Sequence, residues 1–361
     1  MYIFNDVILF LYFVIYVFLL IGSFYILKNK NKISDNILVA VISTVFFVFI
    51  LNRTGLGVDE VTYRNAYSTY LTYSNDFKFE YSFEFLFFLL KEFGVEVKSF
   101  NNVISYLFLF LTIFTVYKAI KPNYRSIVLV SFLFSGVYID SIFNAYRQGF
   151  SILFVILAMI YFEKKDFKYF ILNVLIAVGF HWSSILIILF VLISVFLSDK
   201  ILKKAVLLLI VLHIIILIYP INIFDVFNYS LLINSNLKTL SDAITSYIIN
   251  GGESFYDYNI TWKLITIFPV ISSLTFIYIK YPDNSIKAKV FVILIGYSFI
   301  FIGMAYGFRN YYWALPVFSF LIPELTRNSD KIYRGFLCCY LLLWCFIGFF
   351  YSSILPMIYF K

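Results

Sequence analysis

Arginine is scarce in this chain, and its placement is informative. Seven Arg occur against 21 Lys. Arg125, Arg327 and Arg334 sit in short basic loops, whereas Arg53, Arg64, Arg147 and Arg309 do not. A guanidinium holds a diphosphate better than an ammonium, because its planar fork makes paired hydrogen bonds. The four are therefore candidate anion-binding groups, although an Arg at a helix end also snorkels to lipid headgroups. Arg147 and Arg309 stand apart in context. Each lies between two apolar runs with almost no loop to carry it into water.

Other groups could do chemistry beside them. Asp140, Asn144 and Arg147 follow the spacing i, i+4, i+7, which makes one polar stripe if a helix continues through them. Neutralisation of Arg147 by Asp140 is the structural alternative. His181 lies between Phe180 and Trp182, with Ser183 and Ser184 following. An imidazole there can serve as acid, base or phosphate donor, or simply pack at the membrane interface. His213 lies inside the apolar run Leu207–Ile218 and reads as structural. Asp59 and Tyr63 are four apart and would share a helix face. Asp59 is either a carboxylate that engages a sugar hydroxyl or a first-turn acid that complements the helix dipole. Tyr67, Tyr70, Tyr73, Tyr81, Tyr256 and Tyr258 suit sugar stacking, and a membrane interface also enriches Tyr.

The elements that must position these groups are membrane spans. The chain has 361 residues, is 62% hydrophobic and carries only 13% charged residues, against about 25% in a soluble domain. A crossing helix needs about 20 apolar residues. Spans are expected near 7–27, 35–51, 101–118, 126–142, 148–162, 167–180, 182–198, 205–222, 261–280, 289–306, 311–323 and 335–356. That predicts an all-α polytopic membrane protein of about 12 transmembrane helices, a single domain over 1–361 with both termini outside. The stretch 169–198 is too long for one span and is expected to fold as a helical pair split at His181.

Basic clusters recur after alternate runs: Lys28, Lys30 and Lys32; Lys118, Lys121 and Arg125; Lys164, Lys165 and Lys168; Lys200, Lys203 and Lys204; Lys280, Lys287 and Lys289; Arg327, Lys331 and Arg334. Positive charge in short loops marks the cytoplasmic side. The predicted inner segments total +11 and the remainder −3, so the net charge of +8 orients the protein and is not a footprint for nucleic acid. Arg53, Arg64, Arg147, Arg309 and His181 all map to the opposite, outer side. Cys338, Cys339 and Cys345 share the last apolar run and read as small hydrophobes. Met1–Asp6 carries no Lys or Arg, so an uncleaved first helix is expected.

Two large outer loops are expected, over 52–100 and about 223–260. The first contains the apolar stretch Tyr81–Phe93, which fits an interfacial or re-entrant helix. The second contains Gly251-Gly252 and suits a lid hinged there. No P-loop, GxGxxG or HExxH motif is present.

Arg147-Gln148-Gly149 opening a span, with Phe180-His181-Trp182-Ser183-Ser184 about thirty residues later, resembles the EpsG-like polysaccharide polymerases, relatives of the Wzy-type O-antigen polymerases. Gly57-Val58-Asp59 with Tyr63 resembles that family's glycine–aspartate–tyrosine segment, and Arg309 fits a late arginine position. The chain departs from the pattern at Glu60, where the family commonly carries an aromatic.

The resemblance implies a multi-span lipid-sugar glycosyltransferase (GT-C-like) architecture in the bacterial inner membrane, acting at its outer face. It implies transfer of a growing glycan from a polyprenyl diphosphate to the next lipid-linked repeat unit, as in O-antigen, capsule or exopolysaccharide synthesis. Partners would be those lipid-linked units, membrane lipids, and a chain-length regulator and flippase of the same pathway. On that reading Arg147 and Arg309 bind the diphosphate, with Asn144, Arg53 and Arg64 in support. His181 is donor or base, Asp59 the competing base, and Tyr63 shapes the sugar pocket. No cofactor is implied. No Asp-X-Asp metal motif occurs in either outer loop, and metal independence is expected. A ligase would share the lipid donor. A flippase or transporter would instead place its polar residues near the bilayer midplane.

Overall fold

The computed structural model describes residues 2–52, 57–70, 79–220, 254–304 and 307–350. No β-strand occurs among them. They form fifteen α-helices: α1 (Tyr2–Asn29), α2 (Lys32–Asn52), α3 (Val58–Thr69), α4 (Tyr81–Glu92), α5 (Phe100–Ala119), α6 (Arg125–Leu133), α7 (Gly136–Phe143), α8 (Tyr146–Glu163), α9 (Phe167–Phe180), α10 (Ser184–Ser194), α11 (Asp199–Ile218), α12 (Ile260–Ile279), α13 (Ile286–Ile300), α14 (Tyr311–Thr326) and α15 (Lys331–Phe350).

The chain is a multi-pass membrane protein. Among the described residues α1, α2, α5, α8, α11, α12 and α15 are long and apolar enough to cross a membrane. Large side chains such as Phe18, Phe110 and Phe336 stand on their outer surfaces, more than half exposed, as lipid contact permits. Twelve full-length spans are not what the described residues form. The run 126–142 is a broken pair, α6 and α7, bent by 68°. The pair split at His181 is present, but α9 and α10 have only 14 and 11 residues, and α13 has 15. Hydropathy alone cannot see the break between α6 and α7, because a small polar residue inside an apolar run, Ser135, makes it. Its hydroxyl accepts from the Tyr138 N–H at 3.2 Å and donates to the Phe132 carbonyl at 2.8 Å, capping α7 where α6 ends.

The chain divides into two compact units, Met1–Leu189 with Ser319–Lys361, and Phe190–Phe318. In the first, α2 is locked to α6 by a buried carboxylate. Asp35 accepts from the N–H groups of Asn123, Arg125 and Ser126 and from the Ser126 hydroxyl, at 2.6–3.3 Å. A negative charge there complements the dipole of α6. Helices α8 and α9 form a tight hairpin turned by Lys165 at φ 59°. Phe180, at the far end of α9, stacks on Phe150 and Phe154 with ring centroids 5.0 and 5.7 Å apart. The Ser151 hydroxyl donates to the Ala177 carbonyl at 2.9 Å.

Helix α4 is the apolar stretch of the first loop, too short to span. It buries Phe83, Phe87 and Leu90 while Phe85 and Phe93 remain exposed. Its first turn seats on α9 at Gly179. A Cβ there would lie 2.1 Å from Ser82 Oγ and 2.4 Å from the Tyr81 ring. The Tyr81 hydroxyl donates to the Leu175 carbonyl, and Ser82 Oγ donates to the Ile176 carbonyl at 3.3 Å. Gly251-Gly252, most of the second loop and residues 71–78 lie outside the described residues.

Gly179 thus sets where α4 begins. Gly179→Ala is expected to cost about 1–3 kcal/mol by overpacking, read as a lower thermal midpoint of the detergent-purified protein. An unchanged midpoint would mean that α4 is not seated this way.

Candidate functional site

Four separate segments bring their polar residues to one end of the first unit: the start of α3, the start of α4, the α7–α8 junction and the α9–α10 turn. In α8 and α9 this is the end opposite Lys164 and Lys168. The helix does not continue through Asp140, Asn144 and Arg147. It stops at Phe143, Asn144 has φ −147° and ψ −67°, and α8 starts afresh at Tyr146. The expected stripe is therefore split into two clusters.

The first cluster is Asp140, Asn144 and the start of α3. Asn144 Nδ2 donates to Asp140 Oδ1 at 3.0 Å, and Asn144 Oδ1 accepts from the Asp59 N–H at 2.8 Å. Gly57 permits the approach, because a Cβ on it would lie 2.4 Å from the Phe143 carbonyl oxygen. Glu60 is fully buried. It accepts from the Gly57 N–H at 3.0 Å and from the Tyr146 hydroxyl. The residue that departs from the family pattern is thus a helix-start acid that also ties α3 to α8. The Asp59 carboxylate makes no hydrogen bond or ion pair among the described residues.

The second cluster surrounds Arg147. Its Nη1 donates to Glu80 in an ion pair, and its Nε donates to the Tyr63 hydroxyl at 3.4 Å. The guanidinium lies 5.0 Å from the Phe79 ring centroid and 5.9 Å from that of Tyr63. Asp140 does not neutralise it. A guanidinium has five N–H groups. Three on Arg147 have no partner among the described residues, and its side chain is 28% exposed against 9% for Glu80. It is thus anchored on one side and open on the other. Tyr63 is buried against Phe79, Phe83 and Tyr146. Burial raises its phenol pKa, with Arg147 opposing, so the hydroxyl keeps its proton.

His181 closes the cluster. Burial pushes its pKa down to about 4; Glu80 opposes that shift and Arg147 adds to it, so both charges act on the ring. Its Nδ1 accepts from the Ser183 N–H at 3.2 Å. A nitrogen that accepts carries no proton, so the neutral ring bears its hydrogen on Nε2. In this tautomer His181 is a hydrogen-bond donor and not a base.

The remaining candidates separate. Arg64 is half-buried on α3 and makes no hydrogen bond or ion pair among the described residues. Arg53 and Tyr73 lie outside those residues. Tyr67 is fully buried, stacked on Phe100 at 4.5 Å, and is core, not a sugar platform. In the second unit Arg309 is exposed on the turn Gly307–Asn310, and Tyr258 stacks on Trp262. His213 there is saturated. Its Nδ1 donates to the Leu209 carbonyl at 2.7 Å and its Nε2 accepts from the Tyr311 hydroxyl at 2.8 Å, as a structural histidine requires. Among the described residues no His, Cys, Asp and Glu grouping suits a metal ion.

The sequence profile of the EpsG family matches residues 36–359. No curated protein and no solved structure matches the chain. The chain belongs to the EpsG family.

The depressed His181 pKa has a consequence for stability. An unfolded imidazole takes up a proton below about pH 6.5, whereas the folded one does not until about pH 4. Stability contributed by this group is therefore present above pH 6.5 and lost as pH falls towards 4, reaching about 2 kcal/mol by pH 5. His181→Asn is expected to lose less of its thermal midpoint than wild type between pH 7 and pH 5. Equal losses would show that the imidazole is not held neutral.

Proposed function

We propose that this member of the EpsG family is a polysaccharide polymerase. It transfers a growing glycan from a polyprenyl diphosphate to the next lipid-linked repeat unit at the outer face of the inner membrane. Family membership supports a place in polysaccharide biosynthesis. The observation that carries the finer reading is Arg147: a guanidinium fixed by Glu80, Tyr63 and Phe79, with three N–H groups left over, beside a histidine that presents Nε2–H. That is a donor set for oxygen anions, set on helix ends and not at mid-helix.

On this reading Arg147 and His181 bind the departing diphosphate. They stabilise the charge that grows on its bridging oxygen as the bond to the sugar breaks. Stabilisation of a leaving group is most useful when the donors are fixed beforehand in a site poor in water, and the rings around Arg147 meet that condition. The protonated Tyr63 hydroxyl can donate to a sugar oxygen. On this reading Asp59, its backbone fixed by Asn144, engages a sugar hydroxyl. No metal is needed in principle, because a diphosphate is already a good leaving group.

Arg147→Ala is a poor test, because removing one partner of a buried ion pair leaves the other uncompensated, at about 3–5 kcal/mol. Arg147→Lys keeps the charge against Glu80 and loses the planar fork. In a strain lacking the chain, wild type is expected to restore long glycan. Arg147→Lys should leave mainly single repeat units, with at least a tenfold loss of polymer relative to wild type, at normal membrane levels of protein. Normal chain length from the lysine variant would reject the arginine role, and free lipid-linked polymer in the deletion strain would identify a ligase instead.

A further inference from the structure

Glu80 does something the polymerase reading does not use. Its side chain is almost fully buried, and among the described residues it is the only carboxylate in contact with Arg147. It stands at the N-terminal cap of α4, yet its side chain caps nothing there; the Phe83 and Glu84 N–H groups go to its backbone carbonyl. The carboxylate has been turned away from the helix start to the guanidinium. A neighbouring acid does local work instead, since Glu84 accepts from the Phe79 N–H at 2.8 Å and fixes the approach to Glu80.

The acceptor hydroxyl must lose a proton as it attacks. His181 carries its hydrogen on Nε2 and commits Nδ1 to the Ser183 N–H, so it has no open lone pair. Asp59 has an open carboxylate, but its only link to Asn144 is through its backbone, and none of its bonds reaches Arg147. Glu80 is the carboxylate already bound to Arg147, and an oxygen anion arriving on the three remaining N–H groups competes with it for the same charge.

We propose that Glu80 is the general base of the transfer, held inactive by Arg147 until the donor's diphosphate displaces it. A carboxylate engaged by a guanidinium N–H has that lone pair occupied, and the same carboxylate released from it can accept another group's proton. Donor binding therefore arms the base and guards against proton abstraction in its absence. In the step itself the acceptor O–H proton passes to the Glu80 carboxylate. The acceptor oxygen forms a bond to the anomeric carbon. The bond from that carbon to the phosphate oxygen breaks, its electron pair leaving on the diphosphate held by Arg147 and His181. Glu80 then returns its proton to solvent and its carboxylate to Arg147 as the diphosphate leaves. The proposal rests on the polymerase reading and adds a residue to it.

Glu80→Gln tests both halves in the full-length protein. A C15 prenyl diphosphate serves as binding probe in detergent, and glycan chain length in the deletion strain reports turnover. With the competing anion removed, the probe is expected to bind at least tenfold more tightly than to wild type, while long polymer is lost. Unchanged or weaker probe binding would overturn the displacement, and polymer of normal length would overturn the base. If Glu80→Gln does not accumulate, Glu80→Asp keeps the charge and shortens its reach. It should retain probe binding with at least a tenfold loss of polymer, and full polymer would sink the proposal. Failure of the two readings is distinguishable. Normal polymer from Arg147→Lys removes the polymerase mechanism, whereas lost polymer there with normal polymer from Glu80→Gln removes only the role given to Glu80.

Discussion

One charge pair organises the first unit's polar end. Arg147 stands at the start of a membrane-crossing helix with aromatic rings on two sides, and such a cation is expensive to keep unless something answers it. Glu80 answers it. That requirement explains why a short helix lies against α9 at all. Helix α4 is too short to span, and its packing delivers one carboxylate to one guanidinium. Tyr63 and Phe79 pack against the guanidinium, and its other side stays open. A pair held this way is strong against removal of either member, and weak against a competitor that brings more negative charge.

Close backbone approach makes the delivery feasible. Gly57 lets α3 start against the Phe143 carbonyl, which places the Asp59 N–H on Asn144. Gly149, in the Arg-Gln-Gly segment, lets α8 pass Ser141 and Phe108 with under 3.1 Å to spare for a Cβ. Both glycines belong to segments singled out for their charged neighbours. In each case the glycine sets the distance and the neighbour supplies the chemistry. The candidate site residues are thus held by packing between helices and not by loop structure.

Much of this was legible in the sequence for identifiable reasons. The all-helical membrane class followed from runs of apolar residues, and Arg147 and His181 stood out because each interrupts such runs. Their convergence with Tyr63 followed only from the resemblance, since nothing in spacing joins residues 63, 147 and 181. The lengths of the spans were less legible: among the described residues seven helices are long enough to cross, and a small polar cap such as Ser135 breaks an apolar run that hydropathy reads as one. The expected stripe through Asp140 and Arg147 failed for the related reason that Asn144 leaves the helical region. Glu80 was missed because an acid before an apolar stretch reads as an ordinary helix-start charge. Its partner lies 67 residues away in sequence, and only packing at Gly179 reveals it.

Glu60 is a fully buried carboxylate beside α8, which is tolerable only if its oxygens are satisfied. The Tyr146 hydroxyl and the Gly57 N–H satisfy them. Tyr146 also packs on the Tyr63 ring at 5.4 Å and immediately precedes Arg147. Glu60 and Tyr146 therefore form a hydrogen-bonded strut between α3 and α8. The strut holds the residue before Arg147 and the residue after Asp59. The two clusters are consequently mechanically joined through Glu60 and Tyr146, although no hydrogen bond passes from Asp59 itself to Arg147.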